Sequence, residues 1–136
     1  MIDQGLVALL AANDGVAAIL ANGNASSIFQ IVVPPDQVQY PCIGYQFVGG
    51  ASAETLSTSG QQRSRVQIDC WGVTAESAKL LADAVRQALN GYQGLLTDGT
   101  LLLNAKMLHP GIDYFSDDSR FFRRMLEFYL LYNFTN

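Results

Sequence analysis

The sequence predicts an α+β fold: a mainly antiparallel sheet, with a long helix over about residues 75–90 and an N-terminal helix packed on one face. Three observations carry this. Two segments, 64–72 and 120–134, alternate apolar and polar residues with the period of a strand. One segment, 75–90, carries an apolar stripe with the period of a helix. The remaining strand-like runs are joined by turn signals too short for crossover helices, so antiparallel pairing dominates. At 136 residues the chain is one domain's worth, 1–136, and can bury roughly two thirds of its unfolded surface without a disulfide or metal staple.

The elements follow in order. Ile2, Leu6, Leu9 and Leu10 fall on one face of a helix over 2–12, which Asn13-Asp14-Gly15 breaks. Asp14 can cap a second short helical piece, Gly15 to Leu20. Ser27 to Val33 is rich in β-branched residues and stops at Pro34-Pro35, so it is a short strand or an edge segment. Pro41 opens a strand from Cys42 to Gly49. Residues 50–63 hold almost no core formers and are far longer than a hairpin loop, so they read as a mobile loop between two strands that orders on assembly. In the strand from Ser64 to Gly72, Val66, Ile68 and Cys70 share one face and Arg65, Gln67, Asp69 and Trp71 the other.

Thr74 suits the N-cap of the 75–90 helix, whose buried stripe is Ala78, Leu81, Ala82, Val85, Ala88 and Leu89. Leu80 falls among its wet residues, as an ordinary exposed leucine or a partner contact. Asn90-Gly91 ends that helix. Gly94–Thr97 and Leu101–Leu108 form a hairpin through Asp98-Gly99, with His109-Pro110-Gly111 closing the second strand and a polar turn region over Asp113–Ser119. In the last strand Phe122, Leu126, Phe128, Leu130, Tyr132 and Phe134 take one face, and Arg123, Met125, Glu127, Tyr129 and Leu131 the other. Its length, about fifteen residues, suggests that it runs past its own sheet.

Composition narrows the function. The chain is 49% hydrophobic and only 15% charged, which argues against disorder and leaves neutral surface for copies of itself or partners to cover. Eight basic residues against twelve acidic ones, net −4, make a poor grip on nucleic acid but suit a surface that DNA passes without sticking. No run approaches the ~18 apolar residues of a membrane span. The start, Met1-Ile2-Asp3-Gln4, lacks a basic signal region, so a cytoplasmic site of synthesis and use is expected, with no membrane partner. Cys42 and Cys70 read as buried reduced thiols, and a disulfide needs their strands to be neighbours.

Catalytic signals are thin. His109 with Ser116 and Asp113 or Asp117 could form a nucleophilic set, but no Gly-x-Ser-x-Gly elbow or phosphate-binding glycine loop is present. Asp117-Asp118 with Asp113 could hold a hard cation or be a solvated turn. No catalytic, cofactor or metal site is therefore assigned. Arg123 and Arg124 point to opposite faces and form no single patch, whereas Arg63 and Arg65 share a face as an inter-subunit pair or as solvated cations. Trp71, Tyr45, Tyr92 and Tyr129 are interface anchors or sheet packing.

One run is more specific: Arg65-Val66-Gln67-Ile68-Asp69-Cys70-Trp71-Gly72, Thr74-Ala75, and the helix from Ala78-Lys79-Leu80 through Arg86 to Asn90-Gly91. With the helix and break over Leu6–Leu20, the approach Tyr40-Pro41-Cys42-Ile43-Gly44-Tyr45-Gln46 and the aromatic strand Phe121–Phe134, it resembles the tail-completion, or head–tail joining (tail terminator), family of long-tailed double-stranded DNA phages and prophages. The resemblance covers nearly the whole chain. It implies a structural protein without catalytic signature or cofactor: a ring, usually of six subunits, capping the head-proximal end of the tail tube. Its partners would be itself, the tail tube protein and the head connector or stopper, with DNA only passing through. It would assemble in the host cytoplasm and reside at the head–tail junction of the virion. A head-completion or stopper neck protein, or a non-catalytic ligand- or peptide-binding module, is the alternative. Candidate subunit or partner contacts are Glu54 and Leu56 in the loop, Arg63 and Arg65 at its root, and Arg123, Glu127 and Tyr129 on the last strand.

Overall fold

A computed structural model describes residues 2–20, 27–30, 40–48, 61–97, 99–116 and 121–134. Helices α1 (Ile2–Ala12) and α2 (Asp14–Ile19) come first, followed by strands β1 (Ile28–Gln30), β2 (Cys42–Phe47) and β3 (Gln61–Gly72). Helix α3 (Ala75–Leu89) then leads to β4 (Gly94–Leu95), β5 (Thr100–Ser116) and β6 (Phe121–Phe134). The break between the first two helices is capped by Asn13 rather than Asp14. Its backbone is extended and its side-chain oxygen accepts from the Val16 N–H at 3.1 Å, while Asp14 becomes the first-turn acid.

The six strands form one sheet in the order β1-β2-β3-β6-β5-β4. Every pairing is antiparallel except β1 with β2, which is parallel. The last strand does not overhang. It is central, paired with β3 from Gln61↔Asn133 to Gly72↔Phe122 and with β5 from Thr100↔Phe134 to Ser116↔Phe121. Its length is matched by two equally long neighbours, so its backbone groups are satisfied on both sides. β5 is longer than the sequence suggests because His109-Pro110-Gly111 does not end it. Register shifts at Met107/His109 and His109/Ile112 absorb that tripeptide, and among the described residues β5's outer edge pairs only at Leu101 and Leu102, where β4 meets it. A proline is tolerated at such an irregular edge. Asp113–Ser116 therefore continue the strand, and Gln61–Arg63 belong to β3 rather than to the loop before it. The rest of that loop, 50–60, and the turn residues 117–119 lie outside the described residues.

Helix α3 is an ordinary four-turn helix of 15 residues, not a long one. Its start is a capping box: Thr74 Oγ1 accepts from the Ser77 N–H at 3.0 Å, and Ser77 Oγ accepts from the Thr74 N–H at 3.2 Å. It stops at Leu89 because Asn90 is extended and Gly91 takes a φ of 80°, which favours glycine. Asn90 also accepts the Met107 N–H at 3.1 Å, tying the helix end to β5. Leu81, Ala82, Val85 and Leu89 pack with Leu6, Leu10 and Val16 of α1 and α2 onto Val66, Ile68, Leu126, Phe128 and Leu130 of the sheet. All three helices thus cover one face. The opposite face of β3, β6 and β5 carries no described helix, and this bare surface holds most of the candidate contacts.

Candidate functional site: the outer sheet face

Residues on one face of a strand recur every second position, and register decides who meets whom across strands. Arg65 stands opposite Tyr129, and Tyr129 opposite Lys106. One step along, Arg63 stands opposite Leu131, and Leu131 opposite Asn104. In the other direction come Gln67 with Glu127, Asp69 with Met125, and Trp71 with Arg123. Five of the seven candidate contacts, Arg63, Arg65, Arg123, Glu127 and Tyr129, therefore share this face. Glu54 and Leu56 lie outside the described residues.

The face is laced by its own charges. Arg65 Nε reaches Glu127 Oε1 at 3.2 Å, so this arginine already has a carboxylate within the chain. Both groups are partly solvated, and such a pair contributes about 0–1 kcal/mol. Arg123 lies 3.8 Å from Asp69 Oδ2, with its guanidinium 5.5 Å from the Trp71 ring centre. Gln67 Nε2 donates to both Asp69 oxygens at 3.3 Å. Burial pushes the Asp69 carboxyl above its ordinary value, and Arg123 and the Gln67 hydrogen bond pull it back only in part. Arg124, opposite Cys70 rather than Trp71, belongs to the other face, as alternation predicts.

At the lower end of the face Tyr40, which follows the undescribed segment 31–39 and precedes a cis Pro41, stacks on Phe121 with ring centres 4.0 Å apart. Of the four candidate aromatic anchors, Trp71 and Tyr129 stay on the outer face. Tyr45 is buried in the core, edge-on to Phe47, and Tyr92 packs against the core from the end of α3.

The possible catalytic set is not assembled by the strand. His109 stands opposite Glu127 and Ser116 opposite Phe121, six rungs away, which is about 20 Å along a strand. Asp117 lies outside the described residues. Among the described residues no cluster of three or more His, Cys, Asp and Glu could hold a metal, and no helix is long and apolar enough to cross a membrane. A groove of about 170 Å³ between α1 and the segment after α3 is lined by Leu9, Tyr92, Leu95 and Leu96. It is well below the roughly 300 Å³ at which small-molecule pockets begin.

The chain matches the tail completion protein gp17 family over residues 4–133. It belongs to that family. Its role is structural, in the phage tail and in virion assembly. No curated protein matches it significantly. Among solved structures it is similar to a chain of the virion of native gene transfer agent (GTA) particle, with a TM-score of 0.68 and 19% identity. That alignment covers 93% of this chain and 90% of the other. At that identity the likeness is one of fold, and it spans the sheet and helices of the tail completion chain together.

Sequence reasoning missed Asp69 and Lys106 as members of the outer-face network, and took Trp71 for an anchor without its cation. Alternation placed Asp69 and Trp71 beside Arg65. The pairing of β3 with β6, 50 and more residues downstream, is what brings Arg123 over them. A search for opposite charges at matched offsets in the two alternating strands would have found that pairing.

Proposed function

We propose that the chain, acting as a single domain, forms a ring that caps the head-proximal end of the tail tube and joins it to the head connector. The ring stops tube growth and presents its other surface to the head. Six subunits are the number the family resemblance suggests. Assembly takes place in the host cytoplasm, and DNA passes through without being held. The observation that supports this most is the tail completion family match, which runs from residue 4 to residue 133 and so engages the whole domain rather than one motif. The bare outer sheet face fits it: a closed ring needs two different surfaces per subunit, and this chain has a helix-covered side and an uncovered one. The net charge of −4 fits a channel that DNA traverses.

The test is tube length by electron microscopy. Tube subunits from the same source are polymerised with and without this protein. Shorter, uniform tubes bearing a ring at one end support the reading. Unchanged tubes with bare ends reject the cap, and a pull-down against head-connector proteins then examines the stopper alternative.

A further inference from the structure

The chain's charges are segregated. Four of its eight basic residues, Arg63, Arg65, Lys106 and Arg123, stand on the outer sheet face with two carboxylates, Asp69 and Glu127. That face is thus net +2 on a chain of −4, leaving four basic and ten acidic residues, −6, for everything else. Two outer faces brought together repel each other. An outer face brought against any other side of a second copy is attracted.

Helix α3 supplies a matching side. Its outward stripe is Glu76, Leu80 and Asp83, all exposed, four and three residues apart and therefore in line. Leu80 is 51% exposed, a large aliphatic side chain in the middle of a wet helix face. Glu76 and Asp83 are separated by about 10 Å of helix axis. On the sheet, Arg65 and Lys106 flank Tyr129 from the two neighbouring strands, also about 10 Å apart. The pattern acid–leucine–acid on one side meets cation–tyrosine–cation on the other, at equal spacing. An aromatic centre with an arginine beside it is the composition of a binding hot spot. The pairs to be exchanged, Arg65 with Glu127 and Asp83 with Arg86 at 3.8 Å, are solvent-exposed and cost little to open.

We propose that the α3 stripe Glu76–Leu80–Asp83 of one copy docks on Arg65–Tyr129–Lys106 of the next, so that copies join head to tail. This rests on the ring reading above and names its contact surfaces. DNA is the weaker occupant for this face, because Glu127 sits within it and a net +2 is a small footprint for phosphates.

The test uses the full chain under the conditions in which wild type forms rings, alone or on tube ends. Leu80→Cys and Tyr129→Cys are made singly and together and treated with a short bismaleimide. Cys42 and Cys70 are buried and do not compete. The double variant should give a ladder of cross-linked multiples, and the two single variants should give dimers only when mixed. In parallel, Arg65→Glu with Lys106→Glu should weaken assembly by more than about 100-fold. Adding Glu76→Lys and Asp83→Lys to the same chain should restore it, with circular dichroism verifying the fold of each variant. Rings that form normally but neither cross-link nor respond to charge reversal overturn this contact and leave the ring standing. A wild type that never forms rings overturns both. Loss of DNA retention with assembly intact assigns the face to DNA and also overturns the contact.

Discussion

Cys42 and Cys70 lie on adjacent paired strands, one rung apart, with their side chains on opposite faces of the sheet. The register sets Ile43 opposite Cys70 and Cys42 opposite Trp71, so the two thiols stand back to back. Both are fully buried. A disulfide needs Cβ atoms that point at each other, and these point apart. Mild oxidation of the folded protein should therefore yield no intramolecular bridge. Ellman's reagent should count no fast thiol in the native protein and two in urea. One fast thiol in native buffer would contradict the placement.

The same burial makes an alkaline prediction. Burial pushes the Cys42 thiol up to about 12, and Cys70, buried with Asp69 close by, further in the same direction. A folded-state value raised above the unfolded one gives stability that is complete below the unfolded value and is lost as pH rises towards the folded one. Between about pH 9 and pH 12 each thiol should remove up to about 1.4 kcal/mol per pH unit. Urea midpoints at pH 8 and pH 10.5 measure this. The Cys42→Ala, Cys70→Ala variant should be less stable at pH 8 but lose less on going to pH 10.5. An equal loss in the two proteins would assign the alkaline slope to other groups.

Asp69 looks like a stabilising ion-pair partner, yet its carboxyl is held above its ordinary value, so burial outweighs Arg123 and Gln67. Its contribution to stability is then complete at low pH and is lost as pH rises through the folded value. Asp69→Asn, which keeps the shape and removes the charge, should leave stability at pH 7 unchanged or raised by up to about 1 kcal/mol. It should also flatten the pH dependence between pH 4 and 6. A loss above 2 kcal/mol in chemical denaturation would show that the Arg123 pair dominates.

Gly72 ends β3 where α3 begins, and a Cβ there would meet the Ser77 side chain and come within 2.8 Å of the Ala78 backbone nitrogen. Backbone cannot step aside as a flexible side chain can. Gly72→Ala should cost about 1–3 kcal/mol by overpacking. Thr74→Ala, two residues on, removes the capping-box oxygen and should cost about 1 kcal/mol. Thermal unfolding of both ranks them, and a Gly72→Ala variant as stable as wild type would mean that the strand–helix junction is loose.

The sequence by itself determined the periods. Alternation put Val66, Ile68, Leu126, Phe128 and Leu130 in the core and Arg65, Glu127 and Tyr129 outside it, and the residues bury accordingly. The Thr74 cap and the Asn90-Gly91 stop were legible because local backbone chemistry sets them. The Tyr40–Gln46 approach and the strand–helix run to Arg86 carried the family resemblance. Tertiary structure decided what depends on pairing across a large sequence separation. It made β6 central rather than overhanging, carried β5 through Pro110, and pulled Gln61–Arg63 into the sheet. It also brought Arg123 to Asp69 and Trp71, and set Tyr129 between Arg65 and Lys106. A strand's period is written in its own residues, whereas its neighbours are chosen by the whole sheet closing over one core.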